Sequence, residues 1–425
     1  MGLMRRLTVE ALAVLTGLLS SSASAHVLYM HSDSYFGKDD FFKMWDFFTD
    51  TDPTHGTVDF VGKEAAIAEG LVQVTKERVY IGADMKTQVK KENKGRRSVR
   101  IQSTKMYNAG LFIATLDHIP TGCGTWPALW MFGADAHHVW PTWGEFTIIE
   151  GAHGQTQAMS TLHTTHGCDQ KDVVEGRDFA TQWNKGTNKE RATNCDVTAE
   201  GQWANQGCSQ SGPPNSMGPD FNAFNGGTFA AEWDPRAGHF RTWFWPVGTE
   251  PLDVDMQSPN PARWGLPYSY FRLDPATCPA SHFRNMRVVL DLTFCGDYGR
   301  DSFDEACPEV KAANLTCDEY VRNHPEKLKE AFWSIRRLDV YQPAGLGLEN
   351  VKVVDVQRRF QLRTLVTSGG TGLHALPALL AAGTTGVACL AVLLGIHKFV
   401  RTCNREAKSS RSISMYSQVD SGLAI

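Results

Sequence analysis

Short runs of apolar and β-branched residues recur along residues 26–342, and segments rich in glycine, asparagine and proline separate them. Runs of this length bounded by turn residues are typical of strands. The predicted strands are 71–74, 78–81, 110–116, 146–149, 228–233, 240–245, 287–292 and 334–341. A helical period is clearest in one short segment, 324–332. The pattern therefore predicts a single all-β domain, a sandwich or a barrel, over residues 26–342.

The start of the chain follows a different pattern. Arg5 and Arg6 precede an apolar run that ends in the small residues Ala23-Ser24-Ala25. This order of basic, apolar and small residues predicts a signal peptide over residues 1–25. The all-β domain is therefore expected to enter the secretory pathway.

A second apolar segment lies near the other end. Residues 375–397 contain no Asp, Glu, Lys or Arg and are long enough to cross a bilayer. The basic residues that follow indicate that 398–425 is a cytoplasmic tail. A lipid-anchor signal is the alternative, but its apolar tail should end the chain. We expect a single-pass type I membrane protein whose domain is extracellular or lumenal and is joined to the helix by a stalk over 343–374.

Charge and cysteine usage narrow the class of protein. The formal net charge of -4 offers no basic surface for nucleic acid, so no nucleic-acid partner is expected. An even number of cysteines in a secreted domain predicts disulfides, with the pairing left open. These cysteines are Cys123, Cys168, Cys195, Cys208, Cys278, Cys295, Cys307 and Cys317. Because they form no paired Cys-x-x-Cys units with nearby histidines, we expect neither a metal nor a cofactor. Asn314 begins a glycosylation sequon, Asn-Leu-Thr.

Two glutamates bracket the predicted strand 146–149, in the sequence GEFTIIEG. Residues two apart share one face of a strand, so Glu145 and Thr147 face one way and Glu150 the other. A one-residue bulge at Ile148-Ile149 would return Glu150 to the face of Glu145. Two carboxylates about 5–5.5 Å apart are the arrangement of a retaining glycoside hydrolase. Without the bulge, two solvated surface charges are the simpler interpretation.

Tryptophans are dense just before this pair. Trp126, Trp130, Trp140 and Trp143 fall within eighteen residues. Sugar rings pack their C–H faces on aromatic rings and need polar partners for their hydroxyls, so a polysaccharide site combines both residue types. Core packing is the alternative, above all for Trp126.

Several separated motifs, taken in order, resemble the laminarinase branch of glycoside hydrolase family 16, in particular the fungal-type endo-β-1,3(4)-glucanases. They include GTWPALW, WGEFTIIEG, TLHTTHGC, GTFAAEW and DLTFCGD, and the resemblance covers nearly all of residues 30–342. It implies a β-jelly-roll sandwich with a concave substrate cleft. It also implies a β-1,3-glucan or mixed-linkage β-glucan as the substrate, and we expect a monomer.

The resemblance assigns roles to individual residues. Glu145 takes the position of the nucleophile, Glu150 that of the acid/base, and His163 that of a histidine that assists the pair. Aromatic residues that line sugar subsites are matched by Trp130, Trp140 and Trp264.

Two positions depart from the family's pattern. Thr147 stands where the family has an aspartate between the two glutamates, so a carboxyl that would raise the neighbouring pKa values is missing. Thr147 can still donate a hydrogen bond to Glu145, and we expect slower or pH-shifted catalysis. Trp143 stands where the family usually has a small or amide residue, and it would narrow or extend a sugar subsite.

The sequence therefore predicts a membrane-tethered retaining endo-β-1,3(4)-glucanase. Two alternatives stay open. Thr147 favours a glucan-binding or wall-organising protein with weak or no turnover. A glucan transglycosylase differs only in that a sugar, rather than water, accepts the covalent intermediate.

Overall fold

The computed structural model describes residues 27–35, 41–133, 135 and 137–344. The predicted signal peptide, nearly all of the predicted stalk, the predicted membrane helix and the tail lie outside these residues. Within them, no helix is long and apolar enough to cross a membrane.

Two antiparallel sheets account for most of the strands in the described ranges. Sheet A has eight strands, and its order is β15 (Ser269–Arg272), β14 (His239–Pro246), β13 (Gly227–Asp234), β8 (Gly110–His118), β17 (Phe332–Pro343), β5 (Val79–Gly82) and β4 (Val72–Val74), with β1 (Tyr29–Ser34) also paired to β17. Sheet B has seven, in the order β12 (Cys208–Ser211), β11 (Met159–His163), β10 (Glu145–Glu150), β9 (Thr125–Gly133), β16 (Met286–Phe294), β7 (Arg100–Ser103) and β2 (Trp45–Phe47). A short parallel pair joins β3 (Val58–Phe60) to β6 (Arg96–Ser98).

The two sheets pack face to face around one large apolar core. Phe146 of β10 points into it and meets Phe240 of β14, with ring centroids 4.6 Å apart. Since side chains alternate along a strand, the residues on either side of Phe146 face away from this core. The all-β prediction is confirmed, and each of the eight predicted strands is present with its ends within two residues.

Helices are short and lie in the connections. They are α1 (Phe41–Met44), α2 (Lys63–Ala68), α3 (Gly218–Ala223), α4 (Leu252–Asp255), α5 (Gly296–Ala306), α6 (Pro308–Ala312) and α7 (Cys317–Asn323). The predicted helix over 324–332 is wrong: Pro325–Lys327 forms a single 3-10 turn, and Phe332 already belongs to β17. Phe332 pairs with Gly82 and stacks on Tyr80, and these strand contacts outweigh the local helical pattern.

All eight cysteines of the domain form disulfides, as predicted. The pairs are Cys123–Cys307, Cys168–Cys278, Cys195–Cys208 and Cys295–Cys317. Two of them tie α5–α7 to the sandwich, and the other two hold the long connection between β11 and β12. Cross-links of this kind constrain the unfolded chain, so loops with few hydrophobic contacts can still be ordered.

Candidate active site

The bulge predicted in β10 is present. Against β9, Thr147 pairs with Trp130 and Glu150 pairs with Ala128, so β10 uses three residue steps where β9 uses two. Trp130 and Ala128 share a face of the regular strand β9, and Thr147 and Glu150 therefore share that face as well. Glu145 lies two residues before Thr147 and faces the same way. Both glutamates stand on the face of sheet B that points away from the core.

Three side chains surround the carboxylate of Glu145, whose side chain is 13% exposed. Oε1 accepts a hydrogen bond from Oγ1 of Thr147 at 2.8 Å, and Oε2 accepts one from Nε1 of Trp140 at 2.7 Å. Nδ1 of His163 lies 3.0 Å from Oε1 without the alignment of a hydrogen bond, so this contact acts through charge. The hydrogen bond expected from Thr147 is thus confirmed.

These contacts set the ionisation of Glu145 and His163. Burial by itself would raise the pKa of Glu145, but the positive charge of His163 and the hydrogen bonds from Thr147 and Trp140 outweigh burial and hold the pKa below its usual value. Burial would lower the pKa of His163, yet the negative charge of Glu145 raises it above the ordinary value. Glu145 is therefore ionised, and His163 favours its protonated form.

The pKa of the second glutamate, Glu150, is shifted in the opposite direction. Burial raises the pKa of Glu150, and the charge of Glu145 adds to that rise, against the opposing effects of His163 and of a hydrogen bond from Trp126. That bond runs from Nε1 of Trp126 to Oε1 of Glu150 and measures 2.9 Å. Two neighbouring carboxyls whose pKa values are pushed apart divide into a base or nucleophile and an acid.

Trp126 therefore belongs to the site, and the core interpretation of this residue does not hold. Its ring meets that of Tyr298 edge to face, 5.7 Å between centroids. The hydroxyl of Tyr298 accepts a hydrogen bond from Gln155 at 2.6 Å, and burial raises its pKa to about 12. Helix α5, which carries Tyr298, thus supports the indole that orients Glu150.

Asp291 is a further carboxyl on this face that the sequence reasoning did not assign. It pairs with Ala128, the residue that Glu150 also faces from the other side, and it is 7% exposed. Burial raises its pKa to about 7, although Arg100 opposes the shift. Trp130 donates to Oδ1 at 3.4 Å. The sequence does carry a signal for Asp291: it is an acidic residue among the apolar residues of strand 287–292. A charge in such a strand needs a partner.

The remaining predicted aromatic residues are divided between two places. Trp130 lies on the same face, with the guanidinium of Arg100 4.9 Å from its ring centroid. Trp140 is 36% exposed and contacts Glu145 directly. Trp143, in the same β9–β10 loop, stacks on His138 with centroids 4.1 Å apart. Trp130 and Trp140 therefore lie at the Glu145 face, whereas Trp143 is shown only in contact with its own loop.

Trp264 lies elsewhere. Its ring packs edge to face against Trp243 and Trp245, at 5.2 and 5.1 Å, and it is buried with Ala230 on the outer face of sheet A. Its Nε1 donates to Asp253 at 2.9 Å. The whole sandwich separates it from Glu145, so the prediction that it lines a sugar subsite of that site is wrong. A motif match assigns a residue to a loop but does not decide which face of the fold the loop covers.

Two other expectations concern ligands and modification. Among the described residues, no three His, Cys, Asp or Glu side chains converge as a metal site would require. Asn314 is exposed in the turn between α6 and α7, and its sequon partner Thr316 caps α7. Glycosylation of Asn314 stays a prediction.

Known proteins resemble this chain in sequence and in fold. An endo-1,3(4)-β-glucanase of Arthroderma benhamiae is 38% identical over 336 residues, 77% of this chain and 68% of that protein. Laminarinase 16A of Phanerochaete chrysosporium, solved with 6-O-glucosyl-laminaritriose in its donor and acceptor sites, is 33% identical with a TM-score of 0.65 and covers 74% of this chain and 100% of that one. A structure described as an elongating family 16 β-1,3-glucosyltransferase gives a TM-score of 0.64 at 33% identity, with the same coverage of 74% and 100%.

A family model gives the broader assignment. The model of the XgeA-like catalytic GH16 domain matches residues 45–341, which include both sheets of the sandwich apart from β1, and both glutamates. That match and the relatives' identities agree with the motifs around β10, and together they establish that the chain belongs to glycoside hydrolase family 16, in its XgeA-like group.

Proposed function

We propose that this glycoside hydrolase is a retaining endo-β-1,3(4)-glucanase in which Glu145 is the nucleophile and Glu150 the acid/base. The observation that carries the proposal is the opposite shift of two pKa values on one face of sheet B. The relative from Arthroderma benhamiae, named an endo-1,3(4)-β-glucanase, supports a β-1,3-glucan or mixed-linkage β-glucan as the substrate.

In the first step the ionised Glu145 attacks the anomeric carbon, and the bond to the leaving oxygen breaks as Glu150 protonates that oxygen. Because Trp126 donates to Oε1 of Glu150, the proton to be transferred sits on Oε2. His163 and Thr147 hold Oε1 of Glu145, so the carboxylate keeps one orientation toward the sugar. The product is a covalent glycosyl-enzyme.

In the second step Glu150, now ionised, takes a proton from water. The resulting hydroxide equivalent attacks the anomeric carbon and releases Glu145 as a carboxylate. The configuration at the anomeric carbon is inverted twice and is therefore retained. No group beyond the two carboxyls and water is needed to balance the reaction.

The test uses the full chain, laminarin and the variants Glu145→Gln and Glu150→Gln. We expect each variant to lose at least about 10³-fold in kcat, because each removes a group that reacts in the transition state. Proton NMR of early products should show the β-anomer. A first product in the α-configuration would contradict the retaining mechanism, and tight laminarin binding without turnover by the unmodified chain would favour the binding protein.

A second activity is supported by one comparison. The elongating β-1,3-glucosyltransferase is as similar in fold as the laminarinase, and the same glycosyl-enzyme would serve a sugar acceptor. Mass spectrometry of a reaction at high laminaritetraose concentration separates the two: products longer than the substrate indicate transfer, and shorter products alone indicate hydrolysis.

Membrane attachment is a proposal from the sequence. The uncharged run in 375–397 and the basic residues after it support a type I protein with the glucanase domain outside the cytoplasm. The full chain should resist extraction from membranes by alkaline carbonate. Val387→Arg, which puts a charge in the middle of the segment, should release part of it; equal extraction of both proteins would argue against the anchor.

A further inference from the structure

Two tryptophans stand out by their exposure. Trp203 is 58% exposed and Trp140 is 36% exposed, and within the described ranges they are the exposed members of this residue type. A large aromatic ring left in water forgoes a sizeable burial energy, and beside a carbohydrate site such a ring can take the C–H face of a sugar. Trp140 already contacts Glu145, whereas Trp203 has no role in the proposed reaction.

The loop that carries Trp203 is firmly held. The disulfide Cys195–Cys208 closes it, and the amide of Gln202 bridges its two sides by donating to the carbonyls of Asn194 and Gly207 at 2.8 and 2.7 Å. The backbone N–H of Trp203 donates to the side chain of Gln206 at 2.9 Å. The indole is therefore presented on a braced turn, and little conformational entropy is lost when a ligand packs on it.

The same loop touches the reaction centre. Gly207 of this loop lies so close to His163 that a Cβ atom at Gly207 would fall 2.7 Å from Cδ2 of the imidazole. Trp203 directly follows Gln202, whose amide donates to the carbonyl of this same Gly207 at 2.7 Å. The ring of Trp140 lies 6.1 Å from that of His163. Trp140 and the loop that carries Trp203 thus both lie next to the histidine that contacts Glu145.

We propose that Trp203 is a sugar-stacking platform that extends the glucan site by at least one glucosyl unit beyond the rings at the cleaved bond. The indole takes the C–H face of a glucosyl ring, as aromatic side chains do in carbohydrate sites. Chains long enough to reach Trp203 bind more tightly than shorter ones. The inference rests on the proposed function, because it concerns the same glucan on the same face.

The test measures binding apart from turnover. Glu145→Gln protein is titrated with laminari-oligosaccharides from laminaritriose to laminariheptaose by calorimetry, with and without Trp203→Ala. We expect Trp203→Ala to leave the Kd of the shortest ligand within about twofold and to raise that of the longest about five- to tenfold, the range of one aromatic stacking contact. Trp203→Phe should keep most of the affinity.

Phe224→Ala is the matched control. Phe224 is 62% exposed at the end of α3, which contacts sheet A, and its removal should change the Kd at no chain length. An equal effect of Trp203→Ala at all lengths, no effect at any length, or no binding of any oligosaccharide would overturn the inference. Length-dependent binding without hydrolysis by the unmodified enzyme would overturn the proposed hydrolysis and leave the platform intact.

Discussion

A glutamate, a histidine and tryptophans stand on both outer faces of the sandwich. On sheet A, Glu232 is 2% exposed and accepts hydrogen bonds from Tyr29, His239 and Arg241 at 2.8, 2.8 and 2.6 Å. Burial would raise its pKa, but the hydrogen bond from His239 and the charge of Arg241 lower it below the usual value. This carboxylate is covered and fully paired.

On sheet B the carboxylate of Glu145 is less completely paired. Glu145 has a histidine and two neutral donors but no arginine, and it lies beside a second carboxyl whose pKa is shifted upward. Trp140 beside it is exposed, whereas Trp264 on the opposite side is buried. The same residue types therefore form a covered, fully paired cluster between strands on one face and leave an incompletely paired pair of carboxyls on the other. What separates the two is whether the charge is completely paired and covered.

The largest expected contrast comes from the same change on each face. Glu145→Gln should abolish turnover, by about 10³-fold or more, with little change in thermal stability. Glu232→Gln should leave kcat per folded molecule unchanged and lower the free energy of unfolding by about 2 kcal/mol, because Arg241 loses its partner. Kinetics and thermal unfolding of both variants measure this. Loss of turnover in folded Glu232→Gln protein would erase the distinction between the faces.

Asp291→Asn should change how the free energy of unfolding depends on pH. The folded pKa of about 7 exceeds the unfolded one, so the folded chain binds more protons and becomes less stable as pH rises between the two values. Asparagine removes this dependence, which amounts to up to about 4 kcal/mol over that window. Denaturant unfolding at several pH values measures it. Parallel pH profiles for Asp291→Asn and the unmodified chain would show that Asp291 is ionised throughout.

Thr147→Asp should give the smallest of the three effects. A carboxylate between the glutamates raises both of their pKa values, so the acidic and alkaline limbs of the kcat profile should each move up by about 1 pH unit. In the control, Thr147→Asn, the new side chain has nearly the shape of aspartate but no charge. This variant should leave both limbs of the kcat profile in place. Identical shifts in both variants would point to the lost hydroxyl, not to charge.

Local signals in the sequence were sufficient for eight of the seventeen strands in the described residues and for singling out the two glutamates. Short apolar and β-branched runs between turn-rich segments located these strands, and the spacing of Glu145 and Glu150 already required a bulge if they were to act together. The hydrogen bond from Thr147 was foreseeable because it joins neighbours two apart on one strand. The failed helix over 324–332 shows the limit of such signals, since its last residue, Phe332, pairs with Gly82, far away in the chain.

Contacts between distant parts of the chain decided which residues lie together in the folded domain. The number of cysteines indicated disulfides, but only the packing of loops selected the four pairs. Asp291 joins the site because β16 lies beside β9, and Trp264 leaves it because its segment covers sheet A. The sequence by itself thus determined eight of the strands, the family and the candidate glutamate pair, because these follow from neighbours along the chain. The tertiary structure alone decided the charge environment of that pair, because strand register and burial set the pKa of each carboxyl.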